Sequence, residues 1–391
     1  MIKALTAHTG EVDDVEAAVS EILGQLNPDG GLLKNSVGLL TCYAEFINSD
    51  AVREICRALP FEVVGSTTLC NATRGSSDKI LLSLMVLTSD DVSFSVGLSA
   101  PLTLEDEDAL KRGYDEAASR MGGKGTLMLC FAPLLVNVSG DFFANVFSKI
   151  SGGVPVFGMI AVDHNSDYRE SQVIRNGEAY ADRAVFVLVD GSVSPKFYVG
   201  SISSERVFRQ KGVVTASQGN HLQSVNNVPA VDYLLTLGLT KNDDGTISGI
   251  NSFPFIVDYN DGSEPVVRAT FAMTPDGSVV CGGDIPVGAT LSVGSIDADE
   301  VLATTEEAVT AAVSSDEPSC LIMFSCVGRY FTMDYDPMGE IEKIQSILDK
   351  TGIPYNIAYS GGELCPVPVS NSEGGMANRG HNDTLVICSL R

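Results

Sequence analysis

Several things are scarce in this sequence, and each shortage removes a class of function. Its 391 residues hold only four histidines, all isolated from one another, and nine cysteines scattered with no CxxC pair. Zinc sites need closely spaced donors and disulfide frameworks need an even set, so neither a metal nor a disulfide scaffold is expected. Most of the thiols sit inside apolar runs such as Leu127-Met128-Leu129-Cys130-Phe131, where a reduced cysteine behaves as a small buried hydrophobe. No apolar run is long enough to cross a bilayer; the stretch from Ile80 to Leu87 is broken by serine and soon ends. Positive charge is also short, with 25 Lys and Arg against 50 Asp and Glu for a net charge of -25. Such a surface repels phosphate backbones and anionic headgroups, so neither nucleic acid nor membrane is an expected partner. No strand is followed by GxxxxGKS/T or by a convincing GxGxxG, which leaves nucleotide binding unsupported.

What is present describes a globular chain: 44% hydrophobic residues, 19% charged ones and 38 glycines. The opening Met1 to His8 lacks the apolar core of a signal peptide and reads as a first strand, so a cytoplasmic protein is expected. An internal echo organises the rest. Phe94-Ser95-Val96-Gly97-Leu98, Phe197-Tyr198-Val199-Gly200-Ser201-Ile202 and Leu291-Ser292-Val293-Gly294-Ser295-Ile296 alternate as strands do and carry glycine at the same place. After Gly97 and again after Gly294 come an acidic helix, a buried strand (Leu127 to Ala132, Leu321 to Ser325), an amphipathic helix (Phe142 to Ile150, Ile341 to Leu348) and a strand opened by proline. Ser36 to Tyr43, Ala51 to Leu59 and Phe61 to Gly65 repeat the strand–helix–strand order near the start. Asp190-Gly191 between Ala184–Val189 and Lys196–Ser201 predicts a closing hairpin. The fold expected is α/β, with mixed β-sheets flanked by helices, built from about three repeated strand–helix–strand–hairpin units in two domains, residues 1–212 and 213–391.

The densest chemistry lies in the last third. Cys326-Val327-Gly328-Arg329 leaves a buried strand at its carboxyl end, where crevices form in open α/β sheets. Gly328 would let the backbone turn, and Arg329 offers a fork of donors suited to a carboxylate. Glu340 opens the next helix, Tyr359-Ser360-Gly361-Gly362-Glu363 ends another strand with one acid, and His381-Asn382-Asp383-Thr384 precedes the final strand.

That order of motifs resembles the C-terminal domain of the FIST family, and Val64-Gly65-Ser66-Thr67-Thr68, Pro155-Val156-Phe157-Gly158 and Val189-Asp190-Gly191 resemble its N-terminal domain. The resemblance implies an intracellular sensor that binds a small ligand such as an amino acid and passes the signal to an unidentified signalling protein, without enzymatic activity. On that reading Arg329 grips the ligand's carboxylate and Glu363 or Glu340 receives its ammonium. Asn382 and Tyr359 fix its orientation, with Gly328, Cys326, Gly362, His381 and Thr384 completing the site. The alternative for the charges is a structural Arg–Glu pair that joins two strand ends with or without a ligand. Three other functions stay open: a haem-binding gas sensor using one of His8, His164, His221 or His381, a scaffold without ligand, and an enzyme using Cys326 as nucleophile with His381 as base. No cofactor is expected.

Overall fold

The computed structural model describes all residues except 122–124, 137, 166, 244–245, 315–316, 337 and 371–373. Its plan is one strand arrangement made three times. In unit I the strands are Lys3–Thr9, Asn35–Cys42, Glu62–Thr67 and Leu82–Ser89. The fourth lies antiparallel between the first and second, and the second runs parallel to the third. Unit II repeats this with Ser93–Leu98, Leu127–Ala132, Val156–Ile160 and Val185–Asp190. Unit III does so with Lys196–Gly200, Cys320–Cys326, Tyr355–Ser360 and Leu385–Leu390. A parallel neighbour demands a crossover, and each unit supplies a helix for it: Ala51–Ala58, Gly140–Ser151 and Met338–Leu348. A second helix, Val15–Leu26, Glu107–Met121 or Ala298–Ser314, lies between the first and second strands.

Between its third and fourth strands each unit sends out a short hairpin, and each hairpin pairs with another unit's third strand. Unit I's pair (Asn71–Thr73, Ser76–Asp78) joins Tyr355–Ser360 of unit III. Unit III's pair (Glu363–Pro368, Met376–His381) joins Val156–Ile160 of unit II. Unit II's pair (Val173–Arg175, Glu178–Tyr180) joins Glu62–Thr67 of unit I. The exchange is a closed ring, and it covers the edge that each third strand would otherwise expose.

Strand alternation then divides the apolar side chains. Leu127, Leu129 and Phe131 point into a central core shared by all three units, whereas Met128, Cys130 and Ala132 face the unit II helices. Val37 and Leu39 of unit I and Ile322 and Phe324 of unit III enter the same central core. Phe324 stacks on Phe157 at 5.3 Å and meets Phe131 edge-on at 6.1 Å, so units II and III are locked ring against ring. All nine cysteines are free and buried.

Two sequence expectations change here. Asp190-Gly191 does not close a hairpin: Val185–Asp190 stays in unit II's sheet and Lys196–Gly200 pairs with Leu385–Leu390 in unit III's. The same turn chemistry serves a chain crossing between sheets, and the partner that decides is nearly two hundred residues away. Leu291–Ile296 does not start unit III either. Thr290–Val293 belongs to a separate antiparallel sheet built from strands between Gly212 and Val293, around its own core, and Lys196–Gly200 is unit III's first strand. The division expected at 212/213 falls at the first strand of this added sheet, Gly212–Gln218.

The added sheet is tied to units II and III through a buried arginine. Arg268, fully buried, donates to both carboxylate oxygens of Asp141 at 2.9 Å and to the Gly380 carbonyl at 2.8 Å, and also meets the Tyr259 hydroxyl. Asp141 in turn accepts from the amides of Asp284 and Gly380.

Candidate functional site

The sequence-predicted residues separate into two groups, neither of which is one open pocket. Helix Val327–Thr332 starts where the second strand of unit III ends, and its 100° step per residue turns Arg329 inward and Tyr330 and Phe331 outward. Inside, Arg329 Nε donates to Glu340 Oε1 at 2.9 Å. Its Nη2 donates to Thr305 Oγ1 at 2.7 Å and the Val301 carbonyl at 2.8 Å, and its Nη1 to Thr304 Oγ1 at 3.3 Å. Glu340 also accepts from Thr305, Ser325 and the Tyr359 hydroxyl, each at 2.8 Å. Both charged side chains are 0% exposed. Arg329, Glu340 and Tyr359 therefore sit in a closed network of three helices and two strands, an Arg–Glu pair of the kind that the sequence left open as the alternative, although Glu340 stands on a helix and not at a strand end. Burial, and then the Glu340 charge, holds the Tyr359 hydroxyl far above its ordinary range, so it stays a donor.

The second group gathers Cys326, Gly328, Gly362, Glu363, Asn382 and Thr384, and adds Asp383, whereas the His381 ring turns to the Cys365 carbonyl on the side of Asp141 and Arg268. Glu363 Oε2 accepts from Thr384 Oγ1 at 2.9 Å. Glu363 Oε1, Asp383 Oδ2, Asn382 Oδ1 and His381 Nδ1 are buried without a hydrogen-bond partner among the described residues. Burial pushes the Glu363 carboxyl well above the usual carboxylate range, with the Asp383 charge adding and the Thr384 hydrogen bond opposing. Asp383 rises to about 7 by burial, against the pull of Arg329. Burial thus disfavours the charged form of both acids. His381 is lowered to about 4 by burial first, and its Nε2 lies 3.0 Å from the Cys365 carbonyl, an arrangement that makes Nε2 the protonated nitrogen.

Two glycines make this cluster possible. Gly362 has φ 155°, backbone that a side chain rarely adopts. Gly328 turns out to serve by size and not by turning the chain: a methyl group there would run into the Asp383 carboxylate. Cys326 caps the helix, its Sγ accepting from the Gly328 amide at 3.5 Å. Its thiol is driven far up by burial, then by Glu363 and Asp383. An attacking cysteine needs a lowered thiol pKa, so Cys326 has the opposite of a nucleophile's environment.

An open cavity lies on the outer side of helix Val327–Thr332. It measures about 390 Å³ and is lined by Tyr43, Leu69, Lys79, Asp163, His164, Asn165, Tyr168, Tyr330, Phe331 and Tyr335. Each unit contributes residues that follow one of its strands: Tyr43 after the second strand of unit I, Asp163, His164, Asn165 and Tyr168 after the third strand of unit II, and Tyr330, Phe331 and Tyr335 after the second strand of unit III. Tyr43 stacks on His164 at 4.3 Å, and Tyr330 meets Tyr335 edge-on at 5.6 Å and Tyr359 at 6.0 Å. Tyr330 thereby joins the cavity wall to the Arg329 network. Burial, and then the neighbouring Cys326, raises the Tyr168 hydroxyl to about 12. Sequence reasoning weighed His164 alone and passed over Tyr168, Tyr330, Phe331, Tyr335 and Lys79. The available signal was helical phase, since Tyr330-Phe331 must face away from an inward Arg329.

Comparison with known proteins gives the family. Residues 36–227 match the FIST N domain and residues 230–366 the FIST C domain. Among solved structures, cyanuric acid hydrolase from A. caulinodans is similar with a TM-score of 0.38 at 10% identity, covering 100% of this chain and 99% of that one. Phosphoribosylformylglycinamidine synthase II from Thermotoga maritima gives 0.21 at 9%, covering 100% and 71%. Likenesses of that size carry no argument about activity. No curated protein matches the chain. With both domain models matched in order along the sequence, the chain belongs to the FIST family, whose domains are sensory domains that bind small ligands.

Proposed function

We propose that this protein is a non-enzymatic sensor whose ligand, an amino acid or a similar small zwitterion, sits in the aromatic cavity between the three units. The observation that carries this reading is the lining itself. Tyr43, Tyr168, Tyr330, Phe331 and Tyr335 all line one space, and Lys79 lines it too. Ring faces attract an ammonium group, and the negative charges of Glu45, Glu170 and Asp163, felt by the Tyr43 hydroxyl after burial itself, reinforce that attraction. Lys79 supplies the complementary partner for a carboxylate. Arg329, Glu340 and Tyr359 then brace the cavity wall through Tyr330 instead of touching the ligand.

Nine free cysteines suit a reducing compartment and so support a cytoplasmic setting. The raised thiol of Cys326 supports a binding rather than a catalytic role. A signalling protein that reads the occupied state remains part of the proposal. The test is a thermal-shift screen with free amino acids, their N-acetyl forms and the corresponding amines. Saturable stabilisation by amino acids, lost on N-acetylation and weakened about tenfold in Lys79→Met, is expected. No saturable shift with any amino acid, or an unaltered one with the N-acetyl forms, would refute the zwitterion reading.

A further inference from the structure

Beside the aromatic cavity, the loop after unit II's third strand and the short helix after unit I's second strand bring three ionisable side chains together. Glu45, His164 and Glu170 each offer one donor atom, and these atoms all lie within 4.8 Å of one another. His164 Nε2 is 3.5 Å from Glu45 Oε1. From this convergence we infer that Glu45, His164 and Glu170 form a binding site for a first-row divalent transition cation.

Four observations support the site. Donors about 2.1 Å from a common ion stand at most about 4.2 Å apart, so small side-chain adjustments suffice to close the triad. The backbone at Asn165 and Glu170 is also held independently of it. Asp163 accepts from the amides of Asn165 at 2.5 Å and Glu170 at 2.7 Å and from the Ser171 hydroxyl at 3.0 Å. With both of its oxygens engaged there, Asp163 is a brace for His164 and Glu170 and not a competing ligand. Tyr43 stacks on the imidazole at 4.3 Å and fixes the ring plane. Finally, Glu45 Oε2 is a buried oxygen with no hydrogen-bond partner among the described residues, a second carboxylate atom available to a cation.

One imidazole and two carboxylates are the donor set of borderline cations such as Zn²⁺, Co²⁺ or Mn²⁺, and three protein donors leave coordination positions for solvent or another group. His164 itself lines the cavity, so an ion held here would stand at its wall. The site is argued from its own donors and does not depend on what the cavity binds.

The experiment uses tag-free full-length protein, treated with EDTA and dialysed, then titrated with Co²⁺ and followed by its visible absorption, with Zn²⁺ by calorimetry in parallel. Binding of one equivalent is expected, with His164→Ala and Glu170→Gln each weakening it at least about tenfold while the circular dichroism spectrum is unchanged. A Glu107→Gln variant, remote from the triad, controls for loose attraction to the acidic surface and should bind as the parent does. Non-saturating uptake, or equal binding by parent and His164→Ala, overturns the site. Because no amino acid is present, failure here leaves the zwitterion reading standing, and failure of the thermal-shift screen leaves this one standing.

Discussion

Helix Val327–Thr332 separates two regions that use similar side chains to opposite ends. On its inner side Arg329 and Glu340 are 0% exposed, and neighbouring hydroxyls and a carbonyl share their hydrogen bonds. On its outer side Tyr330, Phe331 and Tyr335 line open space, and Tyr335 is 63% exposed. The lesson concerns charged residues in a motif. A conspicuous arginine beside a strand end is as able to serve the fold as the ligand, and the completeness of its hydrogen bonding tells which. Residues that serve the fold should cost stability when changed, and residues that face open space should cost binding.

The largest effect follows from breaking the inner side. Arg329→Ala leaves Glu340 charged and buried among hydroxyls, a situation that costs about 3–5 kcal/mol, and the denaturation midpoint should fall accordingly. Arg329→Met with Glu340→Leu removes both charges and should be clearly more stable than either single change. Equal loss in the double variant and in Arg329→Ala would mean that lost packing, not the orphaned charge, sets the cost.

Next in size is the acid cluster between the two regions. Asp383 has a folded pKa raised by burial from 3.8 to about 7, and Glu363 is raised as well. A group raised on folding contributes stability that is fully present below its unfolded pKa and is lost as the pH climbs through the folded value. Parent protein should therefore lose stability between about pH 4 and pH 7 through Asp383, with Glu363 extending the loss upward. Asp383→Asn should flatten that slope and be more stable than the parent at pH 8. Denaturant titrations at stepped pH check this, and parallel curves for the two proteins would show that Asp383 is not the group responsible.

Much of this architecture was readable in advance, and the parts that were not share a cause. Leu127 to Ala132 and Leu321 to Ser325 were legible as equivalent buried strands because alternation and the flanking helices are local patterns. The exchanged hairpins were not, since which third strand Asn71–Thr73 pairs with depends on contacts with Tyr355–Ser360 far along the chain. The strand end at Cys326 was legible, and Glu363 and Thr384 do meet there, but the turn of the His381 ring towards Cys365 was not. The direction of Arg329 was not, because its role was assigned from charge when helical phase decides it. Glu45, His164 and Glu170 escaped for the same reason as the hairpins: each is ordinary in its own stretch, and only the packing of unit I against unit II brings them together.

The smallest change in stability should be the most informative about binding. Tyr335 makes edge contacts with Tyr330 at 5.6 Å and Phe331 at 5.4 Å, each worth about 1 kcal/mol or less, and most of its surface faces solvent. Tyr335→Ala should thus keep a denaturation midpoint near that of the parent while losing most of the stabilisation produced by a bound amino acid. If ligand-induced stabilisation survives in Tyr335→Ala at the same concentration dependence, the outer face of the helix is not where the ligand sits. The contrast between the two sides of helix Val327–Thr332 would then reduce to stability alone.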